Sequence, residues 1–572
     1  MEMLQKIESV NKTKVILVIL GIGFFVYFNS LFNGFVWDDE GEILNNQVVH
    51  KLSNIGYIWN GGTFNTGGTG QLSGWFFRPI RTLSIMINWA LFGPQAWGWH
   101  LVQVLFHLTN VYLLFRLLNK LLDKSKYPVI LSSILSLLFA IHPAINEAVV
   151  YIAASSEVMY SFCNLLVLNL LVYQKEERIS IFKLVLVFIL LLAGILIKES
   201  SVIIIPLIFI YLIFNKQKQL KSWLITSGLA TFGYLILRFL IVKTPLRPLS
   251  LSPISEATLG ERLLTVPAIL LYYLKTFFFP RDLAISQHFI IRTMNFTDFF
   301  LPLVFICLFF GLIMFLAFKW KSKLIFWGLV WYLSGMFLIL NIFPLDMTVG
   351  DRWLYFPIMG LIIVLAGLGQ EITKKHTKLL VVGCWFVVMT IPILAGRTII
   401  RNTNWRDGLT LYAHDSQVME ESFDIENNLG VELFRAGKIE EAKPHFEKSI
   451  FLNPKWRFAY NNLGVVYERE GNLAKARELY EKTILMSDYY LAYENLGFNL
   501  LKTGKKGEAI TFLEDAVTKL PLNSKLRAAF AIALYKEGKQ KEAEIEAKNA
   551  YMLEPSEQNQ VILKTILDKK PI

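Results

Sequence analysis

Four short stretches carry acids and cations in combinations suited to phosphate and hydroxyl chemistry. Directly after the first apolar run stands Phe35-Val36-Trp37-Asp38-Asp39-Glu40, three consecutive acids that must be hydrated or employed. Between two later apolar runs lies Ile141-His142-Pro143-Ala144-Ile145-Asn146-Glu147, where Pro143 is expected to start a helix and Glu147 to sit in its first turn. Lys198-Glu199-Ser200 is wedged between apolar runs, where charge is costly and tends to be paired or functional. Gly350-Asp351-Arg352-Trp353 opens a further apolar run, and Arg78, Arg238 and Arg262 complete the cations. Each stretch has a plainer reading as well: solvated loop acids, a helix-start acid, a snorkelling arginine. Acids facing cations nevertheless suit one chemistry in particular. Arg or Lys holds a lipid phosphate and stabilises its leaving charge, and a carboxylate takes the proton of an incoming hydroxyl. The expected base is Asp38 or Asp39, with Glu147 next in line. Glu40, Arg78, His142, Lys198, Arg262, Asp351 and Arg352 are the expected substrate-binding groups.

Other chemistries lack their residues. The chain has no P-loop, no H-E-x-x-H and no Gly-x-Ser-x-Gly elbow. No Cys/His spacing points to a structural metal. Three adjacent acids could attract a divalent cation, but such a site wants more ligands than residues 33–40 provide. No cofactor is assigned, and a divalent cation at these acids stays open.

The elements that must position these groups are apolar. The 572 residues are 54% hydrophobic and only 18% charged, with mean hydropathy +0.45; a soluble chain carries roughly 25% charged residues. From residue 14 to 396 one apolar block follows another, and from 405 the sequence turns polar and helix-patterned. The first run, 15–32, follows Lys6, Lys12 and Lys14 and is too long for a signal-peptide core, so an uncleaved spanning helix is expected. Further spans are expected at 97–119, 128–142, 146–172, 181–197, 200–214, 222–242, 299–318, 324–342, 353–370 and 378–395. With eleven crossings, the basic loops Lys120/Lys124/Lys126, Lys175/Arg178, Lys216/Lys218/Lys221, Lys319/Lys321/Lys323 and Lys374/Lys375/Lys378 share the N-terminal, cytoplasmic side. The four acid–cation stretches and the tail then lie outside. The count becomes thirteen if the apolar stretches 80–93 and 263–279, expected outside or dipping in, also cross. The outer loop 33–96 carries the polar pieces 60–62 and 67–68 and Trp75, and loop 243–298 the proline-rich piece 244–249. Cys163, Cys307 and Cys384 all lie in apolar runs and are expected to be small buried hydrophobes. The net charge of +12 fits orientation-setting loops better than nucleic acid.

The tail repeats. Asn428-Leu429-Gly430, Asn462-Leu463-Gly464 and Asn495-Leu496-Gly497 stand 34 and 33 residues apart, and Gly437, Gly471, Gly504 and Gly538 keep the same beat. Pro454, Pro521 and Pro555 close the units, with Asp488 in the remaining slot. Helix, glycine turn, helix and closing proline at this period match the tetratricopeptide repeat, a solenoid that usually binds peptides or proteins. The expected divisions are a membrane domain over 1–400, a linker over 401–424, about four repeats over 425–560 and a tail over 561–572. A linker of about twenty residues would keep the array near the outer loops.

In order along the chain, the acidic pair, Phe77-Arg78-Pro79-Ile80 with Asn88 and Gly93, residues 138–148, Lys198-Glu199, residues 351–357 and Asn404-Trp405-Arg406-Asp407 resemble the transmembrane-and-tetratricopeptide-repeat protein O-mannosyltransferases. The resemblance implies an all-α GT-C membrane glycosyltransferase followed by a repeat solenoid. Its donor would be a polyprenyl-phosphate sugar, most readily mannose, and its acceptor the Ser/Thr hydroxyl of an extracytoplasmic protein bound by the repeats. By motif, Asp38 and Asp39 match the family's acidic pair, His142 and Glu147 its His-Pro-acid loop, and Arg352 its late arginine. The chain departs from the family in Trp37 and in its short array. Two other classes compete: a non-catalytic membrane-anchored repeat scaffold for envelope assembly, and a transporter. The second predicts alike halves, and the sequence has none.

Overall fold

The computed structural model describes residues 8–59, 64–65, 72–73, 76–174, 179–242, 252–375 and 377–571. Lys6, residues 60–62 and 67–68, Trp75, Lys175, Arg178 and residues 244–249, all invoked above, lie outside these, as do the side chains of Lys375, Lys378 and Cys384. The chain forms two compact units. The described fold is helical; its only strands are the pair Phe64–Asn65 and Leu72–Ser73.

The first unit runs to Val418. Each expected apolar run is helical over most of its length, though the helix expected over 324–342 ends at Phe337 and the α-helix expected from 353 begins at Ile358, after a short 3-10 turn over Asp351–Leu354. Among the described residues five helices are long and apolar enough to cross a membrane: Lys12–Phe32, Ala96–Leu121, Ile152–Val172, Leu220–Leu240 and Phe296–Lys319. Pro128–Ile141 and Pro143–Val150 together make a sixth, bent by 52°, and Ile181–Ile197, Glu199–Phe214 and Lys323–Phe337 are apolar but shorter. The chain is a multi-pass membrane protein. Local chemistry sets the helix starts: Asn11, Ser180 and Ser322 cap with their side chains, and Pro79 and Pro128 occupy first turns. The stretch near 263–279 is the helix Leu259–Phe278, opened by a reciprocal Thr258–Glu261 capping box. Helices Lys323–Phe337 and Ile358–Lys375 touch backbone to backbone; a Cβ on Gly360 would lie 2.4 Å from the Tyr332 nitrogen.

Two expectations change. The run 146–172 is not one helix: Pro143 starts a short buried segment ending at Val150, and the crossing helix begins only at Ile152. The break persists because the carbonyls it frees find a partner: Gln103 Nε2 donates to Ala148 (3.0 Å) and Tyr151 (2.7 Å). Cys307 is exposed rather than buried, on the outward apolar face of Leu301–Lys319; in a membrane unit that face meets lipid.

The second unit comprises Gly41–Val48, the described part of Phe64–Gly74, and Met419–Ile572. Four helix pairs, from Phe423–Arg435 with Ile439–Leu452 to Ser524–Lys536 with Gln540–Leu553, precede a last helix, Glu557–Leu567. Gly471 turns its pair at φ +83°, a left-handed backbone that glycine adopts without strain. Gly464 lets the paired helices close up, since a Cβ there would lie 2.6 Å from the Tyr480 ring.

Candidate functional site

The three acids differ sharply in their surroundings. Asp39 is fully buried and its carboxylate is engaged by backbone: Oδ2 accepts from Val36 N–H (3.0 Å) and Oδ1 from Ala153 N–H (2.7 Å). Arg81, also buried, donates to the Ala153 carbonyl at 2.8 Å, so both polar groups of residue 153 are clamped. Asp38 and Glu40 are half-buried, and Asp38 N–H donates to Tyr151 Oη at 3.2 Å. Trp37 holds φ +54°, a conformation unusual and costly for a bulky residue. Stacking over-determines it: Trp37 lies on Tyr151 (5.6 Å, 17°), and Tyr151 on Trp405 (5.4 Å, 23°).

Arg352 meets this loop. Its guanidinium lies 5.5 Å over the Trp37 ring and 5.6 Å from Trp353. Glu147 receives both the Arg352 guanidinium and its backbone N–H, the latter at 3.0 Å, in a pair whose members are 13% and 3% exposed. Such a pair fixes the arginine more than it stabilises the fold. Asp351 accepts from Tyr272 Oη at 2.5 Å, and Gln287 Nε2 donates to the same tyrosine at 2.6 Å. Burial, then the charge of Glu147, pushes the Asp351 carboxyl up to about 8.

Trp353 leads to a second cluster. With Glu157, Tyr160, Lys198 and Ser200 it lines a narrow cleft of about 10 Å³, whose other walls are apolar. Lys198 pairs with Glu157, while Glu199 takes Arg78 (3.0 Å) and Arg238 (3.2 Å). Burial lowers the Lys198 ammonium below its usual range; Glu157 opposes this, and the Arg78 charge adds to it. Ile203 and Leu338 belong both to this cleft and to an open apolar groove of about 670 Å³, walled by Ile205, Pro206, Leu333 and Phe337.

The remaining expected residues have backbone partners. His142 donates through Nε2 to the Phe277 carbonyl (3.0 Å), receives Ala144 N–H on Nδ1 (3.2 Å), and stacks on Phe277. It holds the bend of the His-Pro break. Arg262 donates to the carbonyls of Ala257 (2.7 Å) and Ile342 (3.4 Å) and ties its own loop. Among the described residues, no three His, Cys, Asp or Glu side chains come together in a way that could hold a metal ion.

Sequence reasoning missed four buried charges. Glu157 was legible as an acid inside an apolar run. Arg81 lay hidden beside the more conspicuous Arg78-Pro79. The pair Arg401–Asp415, with contacts of 2.6 and 3.0 Å, falls in the expected linker. Asp415 also accepts from Ile285 N–H (2.8 Å) and contacts His414 (2.7 Å). Burial opposes its ionisation, yet Arg401, His414 and that N–H together hold it below the usual carboxylate range.

Comparison with known proteins adds names to these observations. A family model described as "Tetratricopeptide repeat" matches residues 459–487. The human "Protein O-mannosyl-transferase TMTC3" is 30% identical over 148 residues, 26% of this chain and 16% of that protein. The Caenorhabditis elegans "Protein O-mannosyl-transferase F38B6.6" is 23% identical over 451 residues, 77% of this chain and 63% of its own length. The chain thus spans less than two thirds of either relative. Among solved structures, ArnT from Cupriavidus metallidurans bound to undecaprenyl phosphate is 14% identical, covering 82% of this chain and 80% of its own, with a TM-score of 0.37. The curated relatives of this chain are protein O-mannosyl-transferases of the transmembrane-and-tetratricopeptide-repeat kind, in line with the motif resemblance.

Proposed function

We propose that the chain is a membrane glycosyltransferase that moves a sugar, mannose first, from a polyprenyl-phosphate donor to a Ser or Thr hydroxyl of an extracytoplasmic protein. One observation carries the reading: an open apolar groove shares Ile203 and Leu338 with a narrow cleft lined by Lys198, Glu157 and Trp353, next to Arg352. A long isoprenoid fits along such a groove with its phosphate towards those cations, and the relatives' printed activity supplies the sugar and the acceptor.

The roles follow from the surroundings. Lys198 and Arg352 hold the donor phosphate and stabilise its charge as it leaves. Arg78 assists through Glu199. Glu147 aims Arg352 and, being spent on it, is not the base. Asp38 is the base and Asp39 its support, because Asp39's oxygens are committed to backbone N–H groups. The acceptor oxygen attacks the anomeric carbon as the bond to the phosphate oxygen breaks. The proton goes to Asp38, the electron pair leaves with polyprenyl phosphate, and configuration inverts. No step is routed through a metal. The repeats take the acceptor protein, and the acid–cation end faces away from the cytoplasm, at the plasma membrane of a prokaryote or in the endoplasmic reticulum of a eukaryote.

The test is release of polyprenyl phosphate from polyprenyl-phosphate mannose by the purified protein with an acceptor peptide. Release is expected in the wild type, and it should be lost in the Asp38→Ala/Asp39→Ala double variant and in a Ser334→Trp variant, since Ser334 also lines the groove and the tryptophan would fill it. A scaffold would release none in any form.

A further inference from the structure

The basic turns expected on the cytoplasmic side gather around a cavity that the proposed chemistry does not use. It measures about 500 Å³ and is formed by the ends of several helices of the first unit. Its lining includes Lys120, Lys124, Lys321 and Lys323 together with Tyr211 and Trp327. Two acids also line it, and each is met by a lysine: Asp123 by Lys120 at 2.9 Å, and Glu371 by Lys374 at 2.7 Å. Lys323 reaches the Phe214 carbonyl. Lys124 and Lys321 are exposed and have no carboxylate partner among the described residues. The cavity therefore keeps an excess of positive charge beside an aromatic wall.

A second observation concerns the backbone. Lys321 follows the helix Leu301–Lys319 at φ +51°, in a turn where Ser322 N–H returns to the Ala317 carbonyl at 2.9 Å. This closing turn favours glycine, because a side chain in the left-handed region is strained. A lysine occupies it here and lines the cavity.

We propose that this cavity binds a phosphate anion, supplied by the headgroup of an anionic phospholipid in the adjoining leaflet. The lysines hold the phosphate, while Tyr211 and Trp327 flank the glycerol and upper chain, as basic pockets between membrane helices do. The site is independent of the glycosyl-transfer reading; its failure would leave that reading untouched.

The experiment measures binding of short-chain phosphatidylglycerol to the full-length protein in neutral detergent, by mass spectrometry of intact complexes. Phosphatidylcholine and inorganic phosphate serve as parallel probes. Phosphatidylglycerol should bind in preference to phosphatidylcholine, and added salt should weaken it. Lys124→Gln and Lys321→Gly should each weaken binding about fivefold, the worth of one lysine near a membrane surface. Lys321→Gly also relieves the strained turn, so its weaker binding cannot be ascribed to misfolding, and Lys321→Arg should retain affinity. Equal affinity for the two lipids, or unchanged affinity in both lysine variants, overturns the proposal. Lysine-dependent binding of inorganic phosphate without binding of the lipid overturns the lipid source.

Discussion

Asp38 and Asp39 are neighbours, yet exchanging each for asparagine should injure the protein in different ways. In Asp39→Asn one carboxylate oxygen becomes an NH₂ group, while both backbone donors, Val36 N–H at 3.0 Å and Ala153 N–H at 2.7 Å, still point at the side chain. One charge-assisted hydrogen bond is lost and a donor faces a donor inside a fully buried site. Together these cost about 2–4 kcal/mol. The clamp on residue 153 loosens with it, and Trp37 loses part of what holds its left-handed backbone. Asp38 is half-buried, and its backbone N–H meets Tyr151 Oη at 3.2 Å. Asp38→Asn should change stability by less than about 1 kcal/mol and cut turnover by roughly 10²–10⁴, the usual worth of a general base. The assay pairs thermal unfolding of the purified full-length variants with turnover of the donor lipid. An Asp39→Asn protein that melts with the wild type, or an Asp38→Asn protein with full turnover, would refute the division of roles.

Arg401→Ala strands the buried Asp415 carboxylate and should cost about 3–5 kcal/mol, read as a lowered melting temperature. Because Asp415 is held below its usual range when folded, the stability it contributes is present above about pH 4, the unfolded value. It is lost as pH falls through the lower, folded value, so the melting difference between wild type and Arg401→Ala should shrink in acid. In the repeats, Gly464→Ala sets a methyl 2.6 Å from the Tyr480 ring and should destabilise the second unit by about 1–3 kcal/mol in denaturant titration, unless the ring can swing aside. Removing the chain beyond residue 425 should spoil protein acceptors far more than short peptides, since remote binding energy is lost while the catalytic groups stay; equal loss on both, with donor binding intact, would count against acceptor delivery.

The helical architecture was largely legible, because apolar runs and a 34-residue beat are repeated signals that survive local error. The break at Val150–Ile152 was not. It rests on Gln103 and Asp39 reaching from distant parts of the chain, and such tertiary hydrogen bonds leave no local pattern. The candidate site shows the same division. Residue types in short motifs pointed to Asp38, Glu147, Lys198 and Arg352, since charge beside an apolar run is conspicuous. Motifs could not show that Asp39 is fully buried and Asp38 half-buried, because both follow the same helix. They could not pair Lys198 with Glu157 or Arg401 with Asp415 either. They also ranked His142 and Arg262 among the binding groups, and both are engaged by backbone.

The most direct test of the account follows the sugar itself. Purified wild-type protein is given polyprenyl-phosphate mannose labelled with heavy carbon and a Ser/Thr-containing acceptor peptide, and the peptide is weighed and its sugar linkage determined. The account predicts one labelled hexose on a hydroxyl, with the anomeric configuration inverted from the donor, and at most about a hundredth of that rate in a folded Asp38→Asn variant. Unlabelled peptide from a folded, lipid-binding wild type would contradict it, as would a retained configuration.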